Sequence, residues 1–358
     1  DGSSYKAKGE EFISGAPLPL TDGVIGPDGA LYFMTGGRRL ESDLYRVYYK
    51  DNKEDNSPLA APALSEEQKI RRQLETYHGA PKADALAVAW PQLKSSDQFI
   101  RFAARIAVEH QPVNEWQEKV LQEKDPVALT QGAIALARQG KPAVKNQLIA
   151  ALTTIDYAAL SESQQLDLLR AFELVLLRMG KPDAAMTARI AAYFDAHYPA
   201  KTNNLNRSLS KLLVYIDAPK AVDKTMSLLA TAKDDADDQK TLTNSSDLIM
   251  RNPQYGMDIA GMLSKVPPFQ QTYYAIVLSQ AKNGWTPELR DKYFGWFYTA
   301  FSYKGGHSFR GFINNTRKTA LANAPKADFA HLNTISGDSI SNRSGFQMAD
   351  DAPQPKGP

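Results

Sequence analysis

A mainly α-helical protein, with stacked helix pairs preceded by a short antiparallel β-meander, is the architecture this sequence predicts. Three observations carry that expectation. Apolar residues recur at helical spacing from about residue 65 to residue 332. Gly-Lys-Pro stops lie forty residues apart, at Gly140-Lys141-Pro142 and Gly180-Lys181-Pro182, and Ala218-Pro219 repeats the stop at a similar distance. Strand-like alternation is confined to the first fifty residues. A period of roughly 40 residues holding two helices is the pattern of HEAT and armadillo units. Such a unit cannot bury its apolar stripe alone, so the units stack into an α-solenoid.

Residues 1–50 are expected to form the meander. The chain opens with Asp1-Gly2-Ser3-Ser4, without an initiator Met, and reads as an internal piece of a longer polypeptide. In PLPLTDGVIGPDGALYFMTGG, Val24 and Ile25 precede a Pro27-Asp28-Gly29 turn, after which Leu31, Phe33 and Thr35 alternate with Tyr32 and Met34. Leu44 to Tyr49 adds another strand. A meander of this size is a fraction of a propeller blade, which needs neighbours to cover its faces.

Residues 51–64 are polar and proline-containing, as in a linker. Ser65-Glu66-Glu67-Gln68 is a capping box that opens a helical domain over 65–332. Ile70, Leu74 and Tyr77 share the first stripe, the first helix is expected to end at His78-Gly79, and Pro81 suits the first turn of the next. Further stripes are Phe99, Phe102, Ala103, Ile106 and Ala107; then Leu129, Ala133, Leu136 and Ala137; then Leu166, Leu169, Phe172, Leu176 and Leu177. Trp285 to Phe301 is dense in aromatics, and a last helix is expected from Ser308 to Leu321. Residues 333–358 have few apolar side chains and are expected to be a disordered tail or a linker to a further domain.

Composition removes several chemistries. Lys and Arg total 42 against 40 Asp and Glu, a formal charge of +2, so no broad field gathers nucleic acid. No apolar run approaches the roughly 20 residues that span a bilayer. The absence of Cys removes disulfides, thiolate metal sites, thiol catalysis and covalent c-type haem attachment. His78, His110, His197, His307 and His331 are spaced too widely for an HExxH-type zinc motif, and no metal is expected. Glu109-His110 reads as a solvated helix end. The run Lys233 to Asp238 lacks the Gly and distal Glu of an EF-hand loop and reads as a solvated connection.

Five residues are candidates for ligand binding. Asp22 beside Gly23 suits either a propeller-rim ligand or ordinary turn chemistry. Arg38 and Arg39 follow Gly36-Gly37, a hairpin that would aim two guanidinium groups at an anionic or sugar-like ligand. His307 and Arg310 flank a Gly-rich helix entry, where amide donors favour anions; the alternative is a Ser308 cap with Phe309, Phe312 and Ile313 docking the helix. Trp285, Phe294, Trp296 and Phe297 suit a sugar-stacking platform, although their helical spacing favours core.

TDGVIGPDGALYFMTGGRRLESDLYRVYY resembles the last β-propeller blade of the planctomycete-type putative membrane-bound dehydrogenases. IRFAARIAVEHQPVNEW, KDPVALTQGAIALARQG, LNRSLSKLLVYIDAP and NGWTPELRDKYFGWFYTAFSYKGGHSFRGFINNTRKTAL resemble the HEAT-like region of the same proteins. The resemblance runs from Pro17 to about Leu332. It implies a layout of propeller, helical array and C-terminal cytochrome c domain, exported to the periplasm or cell surface. The chain itself would then be a non-catalytic scaffold of a sugar or alcohol dehydrogenase-like oxidoreductase. It would hold no cofactor, haem c belonging to the cytochrome c domain, and its partners would be that domain and the remaining blades. The sequence departs from the pattern in lacking most of the propeller and any Cys-x-x-Cys-His, so the family's catalytic residues would lie mainly in blades outside it. The alternative is an interaction module whose concave face binds a protein or glycan, with no redox role.

Overall fold

The structure, a computed structural model, describes residues 2–15, 18–37, 41–50, 63–235, 266–303 and 309–341. These residues are mainly α-helical, with one three-stranded antiparallel sheet in the order β1 (Leu20–Ile25), β2 (Leu31–Thr35), β3 (Leu44–Val47). The expected turn joins β1 to β2. Gly29 takes a φ of +74°, a region that a Cβ resists, and the Gly26 amide donates to the Ala30 carbonyl at 2.9 Å. Asp28 anchors this corner by accepting from the Tyr32 hydroxyl at 2.8 Å and from Arg46 Nη2 at 2.9 Å. In β2, Phe33 and Thr35 are buried while Met34 is exposed, as alternation requires, and Phe33 stacks on Tyr45 with centroids 4.8 Å apart. β3 ends at Val47 rather than Tyr49, because Val47 already pairs with Leu31, the first residue of β2. Every residue of β1 is exposed, including Leu20, Val24 and Ile25.

The helices begin with α1 (Glu66–Glu75), α2 (Ala85–Ala89), α3 (Gln98–Glu109), α4 (Val113–Gln122), α5 (Pro126–Gln139), α6 (Lys145–Leu152) and α7 (Glu162–Met179). They continue with α8 (Ala184–Asp195), α9 (Asn203–Tyr215), α10 (Ala221–Thr231), α11 (Phe269–Leu278), α12 (Pro287–Ala300), α13 (Phe309–Asn323), α14 (Phe329–Ile335) and α15 (Asp338–Ser341). Along the sequence of odd numbers from α1 to α13, each helix touches the next. Among the even-numbered helices α4, α6 and α8 touch in turn, and α4 and α6 pack on α5.

Helix boundaries follow local chemistry. Ser65 with Gln68 and Ser161 with Gln164 form complete capping boxes, and Asp97, Asp125 and Asp183 cap α3, α5 and α8. Gly140 closes α5, donating to the Leu136 carbonyl at 2.7 Å, and Gly180 ends α7 with a φ of +84°. The first helix ends at Glu75, earlier than expected, and α2 begins at Ala85, leaving Pro81 in the connection.

The core runs along both sets of helices. In α5 every residue from Ala128 to Ala137 is buried, because helices cover it on several sides. Gly132 sits at the centre of this run, where an added Cβ would lie 3.0 Å from Val120 Cγ2. Close approach to α4 therefore outweighs the roughly 1 kcal/mol that a mid-helix glycine costs.

Two expected stripes hold in part: Ala103 and Ala107 of α3 and Leu169, Phe172 and Leu176 of α7 are buried as expected, and the departures are at their edges. The buried face of α3 is Ile100, Ala103, Ala104, Ala107 and Val108, whereas Phe99 and Phe102 are exposed. Their rings lie under the guanidinium groups of Arg71 and Arg105, at 5.7 and 5.1 Å. Leu177, expected in the α7 stripe, is 75% exposed. Packing of α3 against α1, α5 and the short 3-10 turn Trp90–Lys94 selects the alanine-rich side, which allows closer approach than phenylalanine would.

Helical order also continues past the expected limit at Leu332. Arg317, 2% exposed, donates from Nε to Ser336 Oγ at 2.7 Å and from Nη2 to the Asn333 carbonyl at 3.1 Å, joining α13 to α14 and the residue after it. Arg310 Nη2 donates to the Ile340 carbonyl and so ties in α15. At the other end, Ser3 is buried against Asp97. Its amide and hydroxyl both donate to that carboxylate at 2.8 Å, while Arg71 Nη1 donates to its carbonyl at 3.3 Å. The first residues thus belong with the helices, not with the meander.

Candidate functional site

The odd-numbered helices carry a row of charged side chains. On α3, Arg101, Arg105 and Glu109 recur at intervals of four, and on α7 Asp167, Arg170 and Glu173 recur at intervals of three, the spacings that place side chains on one helix face. Helix packing then joins the faces. Arg105 Nη1 donates to Gln131 Oε1 of α5 at 3.0 Å, and Arg101 Nη2 lies 3.9 Å from Asp167 Oδ2 of α7.

Glu109 is the most enclosed charge in this group. Its Oε2 lies 2.9 Å from Arg138 Nε and its Oε1 lies 3.4 Å from Arg105 Nε. Burial pushes its pKa up, against the pull of Arg138 and Arg105; burial likewise lowers that of Arg105, against Glu109. Asp167 is raised by burial too, with Arg101 and Arg105 opposing. The expectation of a solvated Glu109 is therefore corrected. The final turn of α3 faces α5, and the carboxylate is enclosed between arginines of both helices.

Further along the row, Glu173 Oε2 accepts from Arg170 Nη1 at 3.0 Å and pairs with Lys211 Nζ of α9 at 3.3 Å. Arg207 of α9 stacks over Phe269 at 5.3 Å, and its carbonyl accepts from the Tyr273 hydroxyl at 3.3 Å. Counting Arg101, Arg105, Arg138, Arg170, Arg207 and Lys211 against Glu109, Asp167 and Glu173, six cations face three carboxylates, a surplus of three positive charges.

The residues singled out from sequence are not gathered there. Asp22 is exposed on β1 and accepts from the amide of its neighbour Gly23 at 2.8 Å, which is turn chemistry. Arg310 lies on α13 over Phe301, at 5.7 Å. Among the described residues no hydrogen bond or ion pair joins the two. Arg38, Arg39 and His307 lie outside the described residues, as does Ser308. Phe294 and Phe297 are buried, so the aromatic helix α12 contributes core. Asp234, from the acidic run, accepts from the amides of Phe269 and Gln270 at 3.0 and 2.8 Å and thereby caps α11. Among the described residues, no group of three His, Asp or Glu side chains is arranged to hold a metal ion, and no helix is long and apolar enough to cross a membrane.

The apolar stripes of the helices do not by themselves reveal the charged row. A local signal existed in the i, i+4 and i, i+3 charges of α3 and α7, but nothing local links Arg101 to Asp167 or Glu173 to Lys211. Comparison with known proteins adds no relative, since no family model, curated protein or solved structure matches this chain.

Proposed function

We propose that the chain is a non-catalytic helical scaffold, a HEAT-like α-solenoid in which the odd-numbered helices form the binding layer. Their charged row seats a protein partner that presents carboxylates. The observation that carries this reading is the surplus of three positive charges along α3, α5, α7 and α9. Such a field steers an acidic partner and weakens with salt. Quantitative cross-linking of wild type and an Arg170→Glu/Lys211→Glu variant in the source organism tests it. Both side chains are more than half exposed, so the fold should persist. Loss of an acidic partner's cross-links in the variant is expected, and an unchanged pattern would end the reading.

A second reading follows from the sheet and from the dehydrogenase-like motifs. β1 exposes Leu20, Val24 and Ile25, as a blade fragment would when its neighbours come from elsewhere. In this reading the scaffold belongs to an exported propeller–cytochrome c oxidoreductase and holds a sugar- or alcohol-oxidising module relative to a haem module. An absorption spectrum and intact mass of native material decide it. A Soret band with a mass above 39.5 kDa is expected, and a colourless protein of that mass would exclude it.

A further inference from the structure

Between α8, α9 and the start of α10 lies a cavity of about 270 Å³ that shares no residue with the charged row. Ala188, Ala191, Ala192, Leu213, Ala218 and Pro219 give it an apolar wall, and Asp195, Lys220 and Lys224 stand among its lining residues. Ligand sites have this composition, a largely apolar wall with a few polar groups placed to orient the guest. At about 270 Å³ the volume lies just below the usual range of small-molecule sites, roughly 300–1,000 Å³, and suits a small guest.

The charged groups specify the polar end of that guest. Lys224 Nζ donates to Asp195 Oδ1 at 2.8 Å and to the Asp195 carbonyl at 2.7 Å, and Lys220 Nζ donates to Asp195 Oδ2 at 3.1 Å. One carboxylate thus serves two ammonium groups, leaving one positive charge in surplus beside an apolar wall. An ammonium carries three donors, so both lysines retain capacity for a second anion beyond these contacts. The Lys224 side chain is 21% exposed and already positioned by Asp195, so little ordering would remain to be done on binding.

We propose that this cavity binds a small apolar monocarboxylic acid, with its carboxylate against Lys220 and Lys224 and its hydrocarbon against Ala191 and Leu213. The surplus charge selects an anion over a neutral guest, and the apolar wall selects a hydrocarbon acid over inorganic anions. The small volume favours a free acid over the end of a peptide.

Benzoate and its neutral isostere benzamide are the probes, titrated into the ¹⁵N-labelled full chain and followed by amide chemical shifts. Benzoate should move the amides of Ala191, Ala192 and Ala221 with a millimolar dissociation constant, and benzamide should bind about tenfold more weakly. Lys220→Met, at a largely exposed side chain, should weaken benzoate about tenfold and leave the melting temperature unchanged. Ala191→Leu should fill the cavity and abolish the shifts; should that variant fail to fold, Lys220→Met decides. The proposal is overturned by the absence of shifts well above millimolar benzoate, by equal affinity for benzamide, or by unchanged binding in Lys220→Met. Tighter binding of a peptide with a free C-terminal Phe would also overturn it.

Discussion

Arg101 of α3 and Asp167 of α7 approach to 3.9 Å although their helices are separated in the packing order by α5. The long guanidinium side chain bridges what the backbones do not. This pair and the enclosed Glu109 beside it make α3, α5 and α7 a single electrostatic unit.

Glu109→Ala should destabilise the protein by about 3 kcal/mol at neutral pH, because it strands the largely buried Arg105 without its counter-ion. Pairing it with Arg105→Leu should recover much of the loss, which denaturant unfolding of the double-mutant cycle would measure. The pH dependence has a definite sign. The pKa of Glu109 is raised in the fold, so the proton-linked part of its contribution is complete below the unfolded value near 4.5 and is lost as pH rises through the folded value, leaving the ion pairs with Arg138 and Arg105. Glu109→Gln should flatten that part of the stability profile.

Phe172→Ala should cost about 3–5 kcal/mol, since the ring is fully buried and meets Phe194 edge-on at 5.2 Å. Leu177→Ala, on the same helix but exposed, should change stability by no more than about 0.5 kcal/mol. Similar losses at the two positions would show that the phase of α7 is wrong.

Asp97→Ala should remove both the α3 cap and the seat of Ser3, at a cost of about 1–2 kcal/mol. Burial pushes the Asp97 carboxyl up, but the Ser3 amide and hydroxyl with the Ile100 and Phe99 amides outweigh it and set the pKa below the ordinary value of 3.8. Its contribution is therefore present above that value and lost as pH falls through the lower folded one. Hydrogen exchange at the Ser3 amide should accelerate in the variant at neutral pH; an unaltered rate would show that the clip does not form.

Asp28→Asn should loosen the β1–β2 corner. Hydrogen bonds from Arg46 and then Tyr32 hold the Asp28 carboxyl below its usual range, so the corner is held above pH 3.8 and released as pH falls through the lower folded value. Faster exchange of the Ala30 amide, which donates to Asp28 Oδ1 at 3.2 Å, is the expected readout.

Residues whose conformation is decided within a few positions were legible in advance. The Ser65–Gln68 box, the Gly140 and Gly180 stops, the Asp28-Gly29 turn and the alternation of β2 all rest on hydrogen bonds or backbone preferences that span at most one turn. Phe99, Phe102 and Leu177 were misplaced for the opposite reason. A helix with more apolar residues than one stripe can hold has more than one plausible inner face, and its neighbours choose between them.

By itself, then, the sequence determined a mainly helical chain with a small antiparallel sheet near its start, the caps and stops of many helices, and the absence of thiol chemistry. Tertiary structure alone decided that Glu109 is enclosed, that Arg101 meets Asp167, that Ser3 docks on Asp97, and that a cavity opens beside Lys220 and Lys224. Each of these joins segments far apart in the chain, and local propensity is blind to such pairs. Only the packing of whole helices brings their side chains within a few ångströms.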